Sequence, residues 1–587
     1  MFGSPTRVLL AGLLVLLTSL SAGSALADVS GRIVDDINSA PLAGALVSVR
    51  ARPDIAPVRS AADGSFVLPL AKPGVFEIAA AVDFDPAAAN AYFTDTQQVF
   101  DGLTNIEIRL SRLPAADNPD YQPPAANQSC IGCHFQYYQE WTGARHAGAA
   151  NNFWVRDLYS GDGSPGGAAG YVFRDTHAAD NSGLCATCHA PLEDVFTPGE
   201  LNFDDVVTPA GRDGVTCLAC HQISHVNDNV DALHHLGNAT YRFPQADAQT
   251  SFHVFGALPD TDRIPMQNVY QPQFKESQFC ASCHEYKNPT TGAPGQATYS
   301  EWLASPYAIP GPEFRSCQDC HMPSRGDTGS IGSGGPERPA SQRHSHAFVG
   351  ATAETLSANI DLRTVLAREG QTLRVDAEVE NRAGHAFPSG ISIRNAVLHV
   401  EARIGGVRLQ QTGGPTIPFW GSDDVPGVQA GDVAGRPGRG YAKLLAGRIN
   451  GSGAVVSPVL FIDAESATDT LIPSAAIDIS QYRFAVPPGT PESAVVTMDV
   501  RLLYRRAWRA LAVTKGWTQT PGGMPVEIQV QQRQQSQTLA SLGPPGPSPP
   551  PAAAPPIAIP LGEHLPLWLA LAVLLGLLAS RGYLRRP

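Results

Sequence analysis

Apolar and polar residues alternate in two separate parts of the chain. In Leu373-Arg374-Val375-Asp376-Ala377-Glu378-Val379 every second residue is apolar. Ala396-Val397-Leu398-His399-Val400 and Ala494-Val495-Val496-Thr497-Met498-Asp499-Val500 keep the rhythm less strictly. Residues two apart share one face of a strand, so this period predicts strands with one face in a core. Earlier in the chain, Ala45-Leu46-Val47-Ser48-Val49 and Ser65-Phe66-Val67-Leu68-Pro69-Leu70 read as strands, separated by turn signals such as Ala62-Asp63-Gly64. Two β-sandwiches are therefore expected, over residues 28–113 and 341–533. Between them, residues 114–340 should hold little regular structure beyond short helices. This stretch begins with a polar, Pro-rich linker (Pro114 to Pro124) and ends with a Gly/Ser/Pro linker (Gly326 to Ala340).

Two runs are apolar without alternation. Val8 to Leu20 follows Arg7 and precedes Ala25-Leu26-Ala27, the pattern of a secretory signal over residues 1–27 with Asp28 as first mature residue. Leu565 to Ala579 is followed by Arg581, Arg585 and Arg586. It is short for a span of about 20 residues. Basic residues stay on the cytoplasmic side, which would leave the body of the protein outside. Residues 561–587 are thus expected to be a transmembrane helix or a sorting segment. Residues 534–560, rich in Pro, Ala, Ser and Gln, should be an extended tether. The fold class is multidomain α+β: N-terminal β-sandwich, mostly α or irregular middle domain, C-terminal β-sandwich and C-terminal transmembrane helix.

The chemistry lies in the middle domain. Cys130-Ile131-Gly132-Cys133-His134, Cys185-Ala186-Thr187-Cys188-His189, Cys217-Leu218-Ala219-Cys220-His221, Cys280-Ala281-Ser282-Cys283-His284 and Cys317-Gln318-Asp319-Cys320-His321 are five copies of C-x-x-C-H. That is the attachment pattern of a c-type haem, with two thiols joining the vinyl groups and the adjacent imidazole reaching the iron. These motifs use all ten cysteines, so none is left for a disulfide. Structural zinc is the competing assignment, because C-x-x-C pairs also build four-ligand sites. Five pairs do not divide into sites of two, and zinc gives no reason for a His after every second Cys. The motifs begin at uneven intervals, so they are not a solenoid repeat. Five covalent haems are expected, and they would take the place of much of a side-chain core.

The 587 residues suggest three or four domains, and 16 % charged with 43 % hydrophobic residues is ordinary for globular ones. A formal net charge of −13 argues against a nucleic-acid partner.

Five proximal histidines (His134, His189, His221, His284, His321) leave 11 of the 16 histidines as candidates for the opposite axial positions. His177 precedes the second motif, His253 the fourth, and His346, with His344 beside it, the second sandwich. His225, His234 and His235 are further candidates. His399, in a strand pattern, and His564, beside the apolar tail, are not expected to be ligands. Met266 or Tyr307 could approach an iron, whereas Met322 follows a proximal His too closely to reach the opposite face. Glu140-Trp141-Thr142-Gly143-Ala144-Arg145-His146 is echoed by Glu301-Trp302-Leu303-Ala304-Ser305-Pro306-Tyr307, with His146 replaced by Tyr307.

Three resemblances add to this reading. Gly31-Arg32-Ile33-Val34-Asp35, Pro41-Leu42-Ala43-Gly44-Ala45 and Asp63-Gly64-Ser65-Phe66 resemble the carboxypeptidase regulatory-like domain, which implies a prealbumin-like sandwich without catalytic residues. The tail, with Ile559-Pro560-Leu561 before its apolar run, resembles C-terminal sorting signals of bacterial exported proteins. Residues 125–510 resemble exported multihaem cytochromes c, related at a distance to the tetrahaem cytochrome of ammonia oxidisers and to hydroxylamine oxidoreductase. The resemblance is carried by Tyr138-Gln139-Glu140-Trp141 with His146-Ala147, Glu301-Trp302 with Ser305-Pro306-Tyr307-Ala308, Cys317 to Pro323, and Asn381-Arg382-Ala383-Gly384-His385-Ala386-Phe387-Pro388-Ser389-Gly390. It implies closely stacked haems, mostly bis-histidine iron, and His146 and His385 as distal ligands, the latter reaching from the sandwich into the haem cluster.

The expected function is electron transfer between redox partners, quinol-linked or other cytochromes, outside the cytoplasmic membrane. The protein would sit at the periplasmic face or the cell surface. One alternative is a haem oxidoreductase converting nitrite, hydroxylamine or tetrathionate at an open haem. Another is a surface-assembled structural cytochrome.

Overall fold

A computed structural model describes residues 28–86, 91–177, 184–227, 239–244, 252–262, 266–421 and 431–544. The expected signal peptide, the expected transmembrane or sorting segment, His234, His235 and His564 lie outside the described residues. Among the described residues no helix is long and apolar enough to cross a membrane.

The first domain contains β1 (Val29–Asp35), β2 (Leu46–Val49), β3 (Val58–Arg59), β4 (Ser65–Leu68), β5 (Val75–Ala81), β6 (Asp95–Phe100) and β7 (Ile106–Leu110). They form two sheets, β4-β1-β7 and β3-β2-β5-β6, with β1 and β7 parallel. In Ile106-Glu107-Ile108-Arg109-Leu110 buried and exposed residues alternate, and Ile33, Val47, Leu68, Ile78 and Ile108 fill the space between the sheets.

The middle domain has three short strand pairs: β8 (Ile223–Val226) with β9 (Ala239–Tyr241), β10 (Phe252–Gly256) with β11 (Met266–Tyr270), and β12 (Glu285–Lys287) with β13 (Pro294–Ala297). Each C-x-x-C-H motif lies on a short helix. These are α1 (Ile131–Thr142), α2 (Leu184–His189), α3 (Cys217–His221), α4 (Gln278–His284) and α5 (Cys317–His321). Thr216 and Ser316 cap α3 and α5 through their hydroxyls, the local reason that these turns are helical.

The last domain contains β14 (Ile360–Glu369), β15 (Thr372–Asn381), β16 (Asn395–Ile404), β17 (Val407–Arg408), β18 (Gln411–Gly413), β19 (Gly438–Ala446), β20 (Ser466–Asp469), β21 (Ile477–Ala485), β22 (Val495–Arg505) and β23 (Glu527–Thr538). One sheet runs β14-β15-β21-β18; the other runs β20-β19-β16-β22-β23, with β17 on β16. Leu362, Val375, Leu398, Val400, Tyr482 and Val500 form its core. The sandwich extends beyond the expected boundary at 533. β23 continues to Thr538, and Leu539 and Leu542 are buried in the same core. The stretch after Gln531 is polar on both faces of the strand, so its sequence carries no period-2 signal.

Charged and aromatic side chains lock the three parts together. Asp260 accepts the Ala51 N–H at 2.7 Å and two contacts of 2.9 Å from the buried Arg338 guanidinium, joining the first sandwich to the middle domain. Lys515 donates to the carbonyls of Asp157, Gly167 and Tyr171 at 2.9, 2.6 and 2.6 Å, joining the last sandwich to it. Trp154 stacks on Trp517 with ring centres 4.5 Å apart. The 326–340 segment, expected to be a linker, is packed against the first motif. Ser333 N–H donates to Cys133 O at 2.8 Å, and a Cβ on Gly332 would come within 3.0 Å of the His134 ring.

Candidate functional site

All five motif imidazoles are held through the same nitrogen. Nδ1 of His134 is 2.7 Å from Ile331 O, that of His189 3.1 Å from Ala149 O, that of His221 2.8 Å from Phe255 O, and that of His321 2.7 Å from Val349 O. His284 Nδ1 meets the Gln296 side-chain amide at 3.2 Å. A carbonyl acceptor fixes the proton on Nδ1 and leaves the Nε2 lone pair for a metal, the usual arrangement behind a ligating histidine.

Three of these rings face a second imidazole. Ring centres are 6.3 Å apart for His284 and His146, 6.4 Å for His321 and His385, and 6.5 Å for His221 and His346. The last two pairs are close to coplanar in tilt, at 10° and 17°. Two imidazoles bonded to opposite faces of one metal, each nitrogen about 2 Å away, have ring centres about 6 Å apart. His385 and His346 repeat the Nδ1 arrangement, bonding Ala386 O at 3.0 Å and His344 O at 3.1 Å. His146 Nδ1 is buried without a partner.

Burial favours the neutral form of six of these rings, the form a metal ligand must have. It pushes His146 down to about 4 and His284 and His346 down to about 3, each helped by nearby imidazoles. His189, His221 and His321 are lowered by the same burial.

The thiols bring the motifs together. Cys130 lies beside Cys217, Cys188 beside Cys283, and Cys280 beside Cys317. The first motif therefore neighbours the third, and the fourth neighbours both the second and the fifth. All ten thiols are free. Among the described residues no three Cys, His, Asp or Glu side chains converge on a metal position. Free thiol pairs on short turns, four of them followed by a histidine whose Nδ1 meets a backbone carbonyl and so leaves Nε2 available, fit covalently attached haem.

Two candidate ligands are engaged elsewhere. His177 Nε2 bonds Asp463 at 2.8 Å, while its Nδ1 contacts Thr176 Oγ1 at 2.9 Å and Phe173 O at 3.2 Å. His253 Nε2 bonds Arg242 O at 3.0 Å. At the spacing of the three pairs, no imidazole among the described residues faces His134 or His189. His225 sits in β8 and His399 in β16, where Arg501 contacts its Nδ1 at 3.0 Å.

His344 was noted in sequence only as the neighbour of His346. Its Nδ1 bonds Met322 O at 2.8 Å. It lies between Arg343, which contacts Gln136 of α1 at 3.3 Å, and His346, whose N–H donates to Glu140 of α1 at 2.8 Å. Tyr307, the residue replacing His146 in the internal echo, donates its hydroxyl to Arg382 O at 3.0 Å and supports the loop that carries His385.

No known protein family matches the chain, and no curated protein does. Among solved structures, a penta-heme cytochrome c552 from Thermochromatium tepidum is similar at 20% identity and a TM-score of 0.47, over 70% of this chain and 98% of that one. The ASH/PapD-like domain 7 of human CEP192 is similar at 15% identity and a TM-score of 0.10, over 26% of this chain and 78% of that one.

Proposed function

We propose that this chain is an exported multihaem c-type cytochrome that carries electrons between redox partners outside the cytoplasmic membrane, tethered by residues 561–587. The partners would be quinol-linked proteins or other cytochromes. The observation that carries the reading is the set of three facing imidazole pairs, each with one member from a C-x-x-C-H motif. A bound haem supplies an iron centre that changes by one electron, and imidazole on both faces keeps it low-spin.

The chain's own residues do the rest. The ten cysteines would fix five haems covalently. His146, His346 and His385 would hold the irons of the fourth, third and fifth motifs opposite His284, His221 and His321. The carbonyls of Ile331, Ala149, Phe255 and Val349 orient the proximal rings. The thiol contacts make neighbours of the redox centres, the property that electron transfer through one protein needs.

Mass measurement of the exported protein with a potentiometric titration tests this. Five haems and reversible uptake of five electrons are expected; fewer haems or irreversible reduction would overturn it. A second reading, an oxidoreductase at the second motif, is favoured by His189, which no described imidazole faces, while His177 is bound to Asp463. Binding of nitrite or hydroxylamine to one ferric centre would support that reading.

A further inference from the structure

Three arginines meet where the last sandwich faces the haem motifs, and among the described residues no carboxylate joins them. Arg394 precedes β16 and Arg506 follows β22. Asn395 and Arg505 are paired across those strands, so residues 394 and 506 leave the sheet side by side. Arg506 donates to Ala351 O at 2.6 Å, and Arg145 reaches the same carbonyl at 3.4 Å. Arg506 also donates to Pro525 O at 2.5 Å, and Arg394 to Ser389 O at 3.3 Å. Every acceptor is thus a neutral backbone carbonyl. Arg506 is 5% exposed, and its Nε has no partner. Burial and the charges of Arg145 and Arg394 push Arg506 down to about 10.

Clustered, partly desolvated cations without a counter-charge are unfavourable, and a carboxylate placed among them would make charge-assisted, bidentate hydrogen bonds. The position says which carboxylate. Arg145 directly precedes His146, and the charge of Arg394 acts on His284. Those two rings face each other at 6.3 Å.

We propose that Arg145, Arg394 and Arg506 seat the propionate carboxylates of the haem attached at Cys280 and Cys283. This rests on the reading of the C-x-x-C-H motifs as haem sites. The three positive charges favour the reduced, less positive iron, so they raise the midpoint potential of that haem.

The test uses the full-length, haem-loaded protein with Arg394→Gln and Arg506→Gln. Haems are counted by mass, ligation is followed by electron paramagnetic resonance, and potentials come from spectroelectrochemical titration. Five haems, unchanged low-spin signals and a downward shift of one midpoint are expected, with recovery in Arg506→Lys. Five unchanged midpoints in both variants would overturn the inference, and so would equal shifts of all five. Arg145→Gln alters an exposed side chain and supplies the same readout if a buried variant does not fold. A parent protein without haem would overturn the underlying reading instead.

Discussion

The fifth and second motifs use the same five-residue pattern and are completed differently. At the fifth, His321 is held by Val349 O, and His385 arrives from the loop after β15, its ring 6.4 Å away and nearly parallel. At the second, His189 is held by Ala149 O, but His177, the candidate that precedes the motif in sequence, is bound through both nitrogens to Asp463, Thr176 and Phe173. Each proximal ring is held by a carbonyl of another segment, 28 residues away at the fifth motif and 40 at the second. Supplying the opposite ring requires a distant segment, and in the last sandwich the loop between β15 and β16 does this.

The largest expected effect breaks that contrast. His385→Ala should remove one bis-imidazole low-spin signal and turn the fifth site into one resembling the second, with all five haems retained by mass. His177→Ala should leave the number of low-spin signals unchanged.

The next effect concerns the sandwich that presents His385. Leu539→Ala truncates a fully buried side chain in its core, and should cost about 2–5 kcal/mol by chemical denaturation. Shortening the chain to residue 533 should be more damaging still.

The smallest effect is on the loop. Tyr307→Phe removes one hydroxyl donated to Arg382 O and should cost about 1 kcal/mol. The His321–His385 low-spin signal should survive, with its g-values shifted, while the other signals stay in place.

What could be read from sequence follows from the range of each interaction. The cysteines and the histidine of each C-x-x-C-H motif lie within five residues, so spacing alone marks them as candidates. In the last sandwich β15 alternates strictly and β22 less so, and their period was legible, whereas β16 is buried on both faces from Asn395 to Ala402 and its rhythm is weak. The polar end of β23 carries no period, so its membership in the core was hidden until Leu539 was placed. Residues 326–340 have a linker's composition, but their glycines let the backbone approach His134 and offer Ile331 O to it. Pairing of His146, His346 and His385 with particular motifs depends on chain segments that meet only in three dimensions. So does the engagement of His177 and His253, whose partners Asp463 and Arg242 O lie outside any local pattern. The arginine cluster likewise joins residues 145, 394 and 506.

The central claim is that facing histidines complete at least three haem sites. Low-temperature electron paramagnetic resonance of the oxidised protein, with spins quantified against the haem count, tests it most directly. At least three bis-imidazole low-spin ferric centres per five haems are predicted. Fewer than three, with five haems present, would contradict it.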